Sequence, residues 1–341
     1  MPAAPSNEAA ARRADGSEQL AVRVSRCYYE LGMTQQEIAL ELGISRGRVI
    51  RLLADARRDG LVTITINSPL LENVELAEAL TTRYALDVAE ICLSRGEDEQ
   101  TLARQAGAAA GPVVGPRLKD GMTVGLGWGI TLQAFVEQLD ARPMRDVSVI
   151  ALLGSLTRRS SMLRFEASTA LAARLDAECL YLPAPIVCDS EEGRRIIVSQ
   201  PLFRDIHRRA LASDLAIVSI GGLDSATIRD VGLVTDREFR SVRRAGAVGN
   251  FLGYYIDEHA GIVDHPLNAR IVGIDGETFE HIPERIMISA GPSKVAALGA
   301  VLERGLVTGL VTDQRTARAL LERPDPASPE ASAASPRKRY R

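Results

Sequence analysis

Five arginines lie between Ser45 and Arg58, a stretch in which Asp55 is the only acid, within a chain whose formal net charge is −3. A guanidinium group can donate two hydrogen bonds to guanine O6 and N7, or it can bind a backbone phosphate. The alternative interpretation is an ordinary solvated helix face, but such faces usually mix both signs of charge. The residue types in this stretch therefore favour nucleic acid as a partner.

The residues around these arginines are typical of a helix-turn-helix. Thr34 and Glu37 have the spacing of a capping box, and Gly43 suits the left-handed residue that ends a helix. Ser45 is a good N-cap for a second helix, whose first residues would enter the major groove of DNA. We expect its buried side to consist of Val49, Ile50, Leu52, Leu53 and Ala56. The predicted DNA contacts are Thr34, Gln35, Gln36, Ser45, Arg46, Arg48, Val49, Arg51 and Arg57.

Three loops further along the chain each follow a predicted strand and carry groups suited to a small ligand. Residues 125–131 (GLGWGIT) run from a strand into a helix, so backbone amides at the helix start could bind an anion, although tight packing also explains the glycines. They do not form a P-loop, because no Gly-Lys-Ser/Thr follows. Residues 154–161 offer hydroxyls and two arginines for a hydroxyl-rich or anionic ligand, with a solvated loop as the alternative.

The third loop, residues 289–294, ends at Lys294, one of only three lysines among 41 basic residues. A cation at the start of a helix is disfavoured by the helix dipole, so this lysine requires a specific partner. A ligand hydroxyl, a phosphate or an acidic side chain would serve, and Asp257 and Glu258 are candidates from another loop.

The elements that would position these loops alternate between strand and helix from residue 72 onward. Such alternation predicts an α/β fold with a doubly wound parallel sheet covered by helices on both faces, and ligands bind such sheets beyond the carboxyl ends of the strands. Residues 61–66 are predicted to form a short strand or wing, 97–118 a long helix and 269–274 a strand. The predicted organisation is 1–17 disordered, 18–66 helix-turn-helix, 67–71 linker, 72–322 ligand-binding and oligomerisation domain, and 323–341 disordered tail.

Length and composition exclude several classes of protein. A chain of 341 residues is too long for one small DNA-binding module, and 46% hydrophobic with 25% charged residues is ordinary for a globular protein. The four cysteines and four histidines are scattered, so neither a metal site, a disulfide framework nor a cofactor is predicted. Because no signal peptide or apolar run of about 18 residues occurs, we expect a cytoplasmic protein without a membrane partner.

The chain resembles the SorC-type transcriptional regulators, a sugar-binding branch near the DeoR regulators. The resemblance covers residues 18–322 and rests on RRDGLV (57–62), VGLGWGITL (124–132), LPAPIVCDS (182–190), GAVGNFLGYYIDEHAG (246–261) and, most specifically, residues 288–321. It implies an effector domain similar in fold to sugar-phosphate isomerases and glucosamine-6-phosphate deaminases. It also implies a homo-oligomer, commonly a tetramer, that responds to a sugar, a polyol or a sugar phosphate.

The resemblance also implies which residues bind the effector, when the family's binding positions are transferred to this sequence. These residues are Gly125, Gly127, Trp128, Gly129, Thr131, Gly154, Ser155, Leu156, Arg158, Asp257 and Lys294. Three positions depart from the family pattern: Trp128 replaces a small or hydroxyl residue, Asn250 stands where an acid is common, and Pro292 stands where a second glycine is common. Arg158-Arg159 and residues 165–168 are similar to the erythritol-catabolism regulators, so an uncharged polyol stands beside a phosphate ester as the expected ligand.

These observations lead to one main hypothesis and two alternatives. The main hypothesis is a DNA-binding regulator of a carbohydrate catabolic operon, acting as a repressor that the effector releases. The first alternative is a sugar-phosphate isomerase or deaminase-like enzyme with a DNA-binding appendage, in which Lys294 near Asp257 would supply acid–base or Schiff-base chemistry. The second is a scaffold protein with a degenerate sugar site.

Overall fold

The computed structural model describes residues 7–68, 70–96, 98–155, 167–223 and 232–324. The chain divides into two compact units, Met1–Pro69 and Leu70–Arg341. Each unit has its own hydrophobic core, and the two are described separately below.

The first unit is built from helices α1 (Asn7–Tyr29), α2 (Gln35–Glu41) and α3 (Arg46–Arg58). Its core consists of Val24, Cys27, Ile38, Ala39, Val49 and Leu53. The helix α1 begins inside the segment 1–17 for which composition predicted disorder, where a run of alanines and arginines has high helix propensity. Ile50 is 46% exposed, so its predicted place on the buried side of α3 is wrong.

The predicted strand at residues 61–66 does not form in this structure. The described residues after α3 contain no strand before the second unit, and a single backbone hydrogen bond of 3.0 Å joins the Val62 amide to the Ala56 carbonyl. Leu61, Ile64 and Ile66 are exposed. An alternating pattern becomes a strand only when another strand supplies hydrogen-bonding partners, and the described part of this unit offers none.

The strands of the second unit are β1 (Val88–Cys92), β2 (Thr123–Leu126), β3 (Ser148–Ser155), β4 (Glu178–Pro185), β5 (Leu215–Val218), β6 (Ile220–Gly222), β7 (Gly249–Phe251), β8 (Tyr254–Ile256), β9 (Glu284–Ile288) and β10 (Gly309–Asp313). The helices described in this unit are α4 (Leu71–Tyr84), α5 (Glu99–Ala109), α6 (Gly111–Val114), α7 (Ile130–Gln138), α8 (Ala167–Leu175), α9 (Glu191–Ser199), α10 (Pro201–Leu211), α11 (Asp236–Arg244), α12 (Gly276–Phe279), α13 (Val295–Glu303) and α14 (Gln314–Leu321). Short 3₁₀ helices lie at Gly115–Arg117, Asn268–Arg270 and Pro292–Lys294.

Seven of these strands form one parallel sheet in the order β1-β10-β9-β5-β2-β3-β4. The chain leaves β2 toward β3 and β4 and returns to β5 on the other side of β2, so the winding direction reverses between β2 and β5. All carboxyl ends lie at one edge of the sheet, and that edge next to the reversal is where such folds bind ligands. The parallel, doubly wound prediction is therefore confirmed.

Helices cover both faces of the sheet, as expected. One face packs under α5, α7 and α8, with Leu102, Phe135 and Leu171 among its buried residues. The other packs under α4, α13 and α14, with Leu80 and Leu298 among its buried residues. The strands read as continuous apolar runs because both of their faces are buried.

Three local features differ from the sequence-based expectations. The predicted helix over residues 97–118 is interrupted after Ala109, since Pro112 and Pro116 each lack a backbone donor. Residues 269–274 make only isolated bridges, joining Gly273 to Leu153 and Ile271 to Val187, instead of a strand. The small antiparallel sheet β6-β7-β8 was not predicted.

Candidate functional site

The two helices of the helix-turn-helix, α2 and α3, are capped by the predicted residues. The Glu37 amide donates to Thr34 Oγ1 at 3.3 Å, and the Thr34 amide donates to Glu37 Oε2 at 2.8 Å, which completes a capping box. Gly43 has a φ of +63°, the left-handed conformation that favours glycine. The Arg48 amide donates to Ser45 Oγ at 3.3 Å, so this serine caps α3. Local hydrogen bonds predicted from the sequence thus define where α2 and α3 begin.

The arginines of α3 fall into two groups. Arg46, Arg48 and Arg51 are exposed and form no ion pair among the described residues. Arg58, at the other end of the helix, pairs with Asp55 at 2.7 Å and with Asp59 at 3.0 Å. Hydrogen bonding to Asp59, together with the charge of Asp55, raises the pKa of Arg58. Arg57, in the last turn of α3, is also exposed and forms no ion pair among the described residues. Three of the four arginines without an ion pair therefore lie in the first half of α3, toward the end that reads bases in a helix-turn-helix.

The remaining predicted DNA contacts are placed differently. Thr34 and Gln36 are exposed, while Gln35 and Arg57 line a groove beside Tyr28. Val49 is 0% exposed in the core of the unit, so its side chain presents no surface to DNA. Its inclusion among the DNA contacts is corrected: position 49 faces α1 and α2 rather than solvent.

In the second unit, the loop after β2 joins the sheet edge to α7. Gly129 has a φ of +126° and precedes α7 without a side-chain cap, which leaves backbone amides at the start of this helix without a side-chain acceptor. Gly127 donates its amide to the Ile217 carbonyl of β5 at 2.9 Å. Gly125 lies inside β2, where a Cβ atom would come within 2.6 Å of Leu152 Cδ2, so packing explains this glycine.

Thr131, in the first turn of α7, is 3% exposed. Its hydroxyl makes no hydrogen bond within the part of the chain that the structure describes. Buried polar groups in folded proteins are nearly always paired, so an unpaired hydroxyl at a helix start beside a glycine loop is a position where a ligand atom could bind.

The ends of β2 and β3 enclose a cavity. It is lined by Leu126, Gly127, Trp128, Ala151, Leu153, Gly154, Ser155, Ser168 and Tyr181. Gly154 allows β3 to approach β4 closely, since a Cβ atom there would lie 2.7 Å from the Pro185 carbonyl carbon. Four residues expected to bind the effector, Gly127, Trp128, Gly154 and Ser155, thus line one cavity. Leu156 and Arg158 lie outside the described residues.

The other side of the edge, after β9 and β10, is organised by Asp313. This carboxylate is fully buried, caps α14 through the Arg315 and Thr316 amides, and accepts a hydrogen bond of 2.7 Å from Ser94 Oγ. It also accepts from the Thr316 hydroxyl and, at 3.3 Å, from the Gly291 amide. Asp313 therefore ties the loops after β1 and β9 to the end of β10.

Lys294 lies next to this network and is 7% exposed. Its ammonium group has no hydrogen bond or ion pair among the described residues, and Glu99 and Asp313 are the acids whose charges act on it. Burial lowers the pKa of Lys294, and these two carboxylates partly oppose that shift. Glu99 is itself occupied, because it accepts the Ser293 amide at 2.8 Å and the Ser293 hydroxyl at 2.7 Å.

The expected pairing of Lys294 with Asp257 or Glu258 is wrong. The Asp257 carboxylate accepts the amides of His259 at 2.9 Å and Gly261 at 2.8 Å, so it closes its own turn. Glu258 is exposed beside His259. Neither Asp257 nor Lys294 is among the described residues that line the β2–β3 cavity.

Sequence reasoning missed Ser168, Tyr181, Glu99 and Asp313. Asp313 had a usable signal, since an aspartate between a buried strand and a helix is a typical N-cap. Ser168 and Tyr181 had none, because one belongs to α8 and the other to β4, and only the fold brings both to the cavity.

Two properties of the described residues bear on the kind of site. Among the described residues, no group of three or more histidine, cysteine or acidic side chains could hold a metal ion. No described helix combines the length and apolar character that crossing a membrane requires.

Both units of the chain are similar to known protein families. Residues 68–322 match the family "Putative sugar-binding domain", and residues 23–59 match "Sigma-70, region 4". The erythritol catabolism regulatory protein EryD of Brucella abortus is 29% identical over 92% of this chain and 99% of its own length. The sorbitol operon regulator of Klebsiella pneumoniae is 29% identical over 89% of this chain and 98% of its own.

The crystal structure of the full-length sorbitol operon regulator SorC from Klebsiella pneumoniae is also similar, with a TM-score of 0.69 and 28% identity. It covers 90% of this chain and 100% of that one. These relatives are transcriptional regulators rather than enzymes, so the main hypothesis is supported over the isomerase or deaminase alternative. With a helix-turn-helix unit followed by a sugar-binding domain along most of its length, the chain belongs to the SorC family of carbohydrate-responsive, DNA-binding transcriptional regulators.

Proposed function

We propose that this regulator binds its operator through the first turns of α3 and that a carbohydrate effector bound at the carboxyl edge of the large sheet weakens this binding. The protein would then act as a repressor of a sugar or polyol catabolic operon. The single observation that carries the DNA part is the cluster of Arg46, Arg48 and Arg51, exposed and without ion pairs among the described residues.

These three arginines can contact DNA without first breaking an ion pair to an acidic side chain of the described protein. A guanidinium already held by a carboxylate must lose that partner before it can contact a base, as Arg58 would. The unpaired arginines have no such competitor, and their position at the start of α3 matches the end of a recognition helix that contacts base edges. We propose supporting roles for Thr34, Gln35, Gln36, Ser45 and Arg57 in positioning the helix on the DNA backbone.

For the effector, the support is a set of polar groups without partners at the sheet edge. The uncapped amides at the start of α7, the Thr131 hydroxyl and the Lys294 ammonium group can all donate hydrogen bonds to hydroxyl or phosphate oxygens. The relatives are named for erythritol, sorbitol and deoxyribonucleosides, so we propose a sugar, a polyol or a sugar phosphate for this chain.

An effector changes DNA binding only if it has different affinities for the two DNA-binding states, with coupling of about 1–3 kcal/mol in typical systems. A symmetric assembly provides such states, because two helix-turn-helix units must match two half-sites at a fixed spacing. We therefore propose a homo-oligomer, a tetramer by the family resemblance. Operator binding also requires the protein to share a compartment with the chromosome, which is the basis for proposing a cytoplasmic location.

The experiment is fluorescence anisotropy of the full-length protein on its own upstream intergenic DNA at fixed salt. We expect Arg48→Ala and Arg51→Ala each to weaken specific binding by about 5- to 150-fold, because each good base contact supplies about 1–3 kcal/mol of discrimination. Arg26→Ala is the matched control, since it removes an exposed arginine of α1 that pairs with Glu30. Binding of the effector should persist in all three variants.

Two results would contradict the proposal. Operator affinity that is unchanged in both α3 variants would remove the recognition-helix assignment. Operator affinity that no sugar, polyol or sugar phosphate alters would remove the effector-controlled mechanism.

A further inference from the structure

We infer that residues 61–66 form an interface strand, which pairs with the same segment of a second copy of this chain in an antiparallel ladder centred on Ile64. The ladder would join two helix-turn-helix units about a two-fold axis, an arrangement in which both copies use the same surface. The inference rests on the homo-oligomer of the proposed function, and it names the surface through which the DNA-binding units of that oligomer meet.

The first observation is the state of this segment in a single copy. Leu61, Ile64 and Ile66 are 43%, 57% and 62% exposed. The backbone groups of residues 63–66 make no hydrogen bond to any described residue. Exposed β-branched side chains beside unpaired amides and carbonyls are the features of a strand without a partner, and such a strand pairs readily with another chain.

The second observation is that the sequence is complementary to itself in one register. When Ile64 lies opposite Ile64 of the second copy, Val62 lies opposite Ile66, so one face of the ladder is entirely apolar. Thr63 then lies opposite Thr65 on the other face, a cross-strand pair that is favourable in sheets. A shift by one residue would place Ile64 opposite a threonine and would mix the two faces. The pattern therefore favours the register centred on Ile64.

The backbone hydrogen bond at the start of the segment agrees with this register. Antiparallel strands bond through alternate residues, so a ladder in which Ile64 is a non-hydrogen-bonded pair uses the amides and carbonyls of Thr63 and Thr65. Both residues have these groups free among the described residues. The Val62 amide would face away from the second copy, and it already donates to the Ala56 carbonyl of α3 at 3.0 Å. No existing hydrogen bond has to break for the ladder to form.

Charge and chain length favour a second copy as the occupant. Residues 60–71 contain no charged side chain, so two copies of the segment do not repel each other. Only residues 67–70 separate the segment from α4, which leaves too little chain for a second strand beside the first. Two recognition helices related by a two-fold axis are also what an operator with two half-sites requires.

The ladder depends on the rest of the oligomer. A two-stranded ribbon alone is marginally stable in water, so six residues from each copy cannot hold two chains together. Within one assembly, however, the two segments meet at an effective concentration on the order of millimolar, without the entropic cost of bringing separate chains together. We therefore expect the ladder in the full-length protein.

The first test is oxidative cross-linking of the full-length protein carrying Ile64→Cys, with and without operator DNA. The Cα atoms of a non-hydrogen-bonded antiparallel pair lie about 4.5 Å apart, which a disulfide can span. We expect a covalent dimer on non-reducing electrophoresis, several-fold above wild type, whose four free cysteines set the background. Thr65→Cys is the matched control. Its two copies would be diagonal neighbours about 7–8 Å apart, beyond the usual reach of a disulfide.

The second test compares two glutamate variants in fluorescence anisotropy on the upstream intergenic DNA. Ile64→Glu places two carboxylates opposite each other and removes two isoleucines from the apolar face. We expect it to weaken operator binding by about 10- to 100-fold, the factor that burial of an isoleucine side chain supplies. Thr65→Glu adds the same charge one residue further on, opposite Thr63, and should weaken binding less than about threefold. Thermal melting would verify that both variants are folded.

The outcomes distinguish this inference from the proposed function. If Ile64→Cys cross-links no more than Thr65→Cys, with or without DNA, the ladder is overturned, while operator binding by the wild type keeps the proposed function. Equal weakening of operator binding by the two glutamate variants would also overturn the ladder. If the wild type does not bind the operator but Ile64→Cys cross-links selectively, the ladder stands and the proposed function fails.

Discussion

The edge of the large sheet has two sides that differ in how their polar groups are paired. On the β9–β10 side, Asp313 accepts hydrogen bonds from groups on three different segments, and Glu99 accepts two from Ser293. On the β2–β3 side, the Thr131 and Ser168 hydroxyls are buried yet unpaired among the described residues. Both sides lie at the carboxyl ends of parallel strands and are built from the same kinds of residue.

This difference distinguishes polar groups that stabilise the loops from polar groups that are available to a ligand. Buried polar groups with internal partners hold the loops together, and removing one partner leaves several donors unsatisfied. Buried groups without partners contribute nothing to the fold through hydrogen bonds, and those at the glycine loop or the cavity are positions where a ligand could supply the missing partner. The β9–β10 side also holds unpaired groups, because the Lys294 ammonium group has nearby acids but no hydrogen bond within the described chain, and the buried hydroxyls of Ser289 and Thr312 have no hydrogen-bond partner.

The largest effect expected from this comparison is on Asp313. Asp313→Ala removes a fully buried acceptor and leaves the Ser94 hydroxyl and the amides of Arg315 and Thr316 without their partner. We expect the free energy of unfolding to fall by about 3–5 kcal/mol, because several buried donors lose their acceptor at once. Urea denaturation followed by circular dichroism measures this. A loss below about 1 kcal/mol would show that the network does not hold this side of the edge together.

A pair of threonines compares the two sides directly. Thr316→Val removes a hydroxyl that donates to Asp313 and accepts the Gly291 amide at 2.9 Å, so we expect a loss of about 1–3 kcal/mol. Thr131→Val replaces an unpaired hydroxyl by a methyl of similar size, so the stability should change by less than about 0.5 kcal/mol.

The same two variants should exchange their ranking in ligand titration, with Thr131→Val losing affinity and Thr316→Val retaining most of it. Equal losses of stability in the two variants would contradict the division of the edge into a structural and a binding side.

The smallest effect concerns Lys294. Burial lowers the pKa of this lysine below its ordinary value of 10.5, which means that the fold disfavours its charge. We expect Lys294→Met to leave stability unchanged or raise it by about 1 kcal/mol at neutral pH, while the response to effector is reduced. Glu99→Gln is a useful companion, since it removes an acid that acts on Lys294 and keeps a hydrogen-bond acceptor for Ser293.

The lowered pKa of Lys294 also predicts how the stability difference between wild type and Lys294→Met changes with pH. Between the lowered native pKa and the unfolded value of 10.5, the unfolded chain binds the proton and the native chain does not. Wild-type stability therefore rises relative to Lys294→Met as the pH increases through this range. Urea unfolding at about pH 7 and about pH 10 would measure it. A difference that widens with pH would contradict the assignment of a disfavoured charge.

Many structural features of this protein could be predicted from short-range sequence patterns. The capping box at Thr34, the left-handed Gly43 and the serine cap at Ser45 involve residues within three positions of each other, so spacing alone predicts their geometry. The parallel sheet follows from the alternation of buried strands with helices, and the place of the glycine loop at its edge follows from strand direction. These features depend on contacts that are local or that repeat along the chain.

What only the tertiary structure decided are the contacts between residues far apart in sequence. The tertiary structure gave Lys294 the neighbours Glu99 and Asp313, and it left residues 61–66 without a partner strand among the described residues. It also brought Ser168 of α8 and Tyr181 of β4 to one cavity wall. The physical reason is that residue type and spacing specify which groups can bond. Whether a buried group finds a partner depends on packing across the whole sheet, which residue type and spacing do not specify.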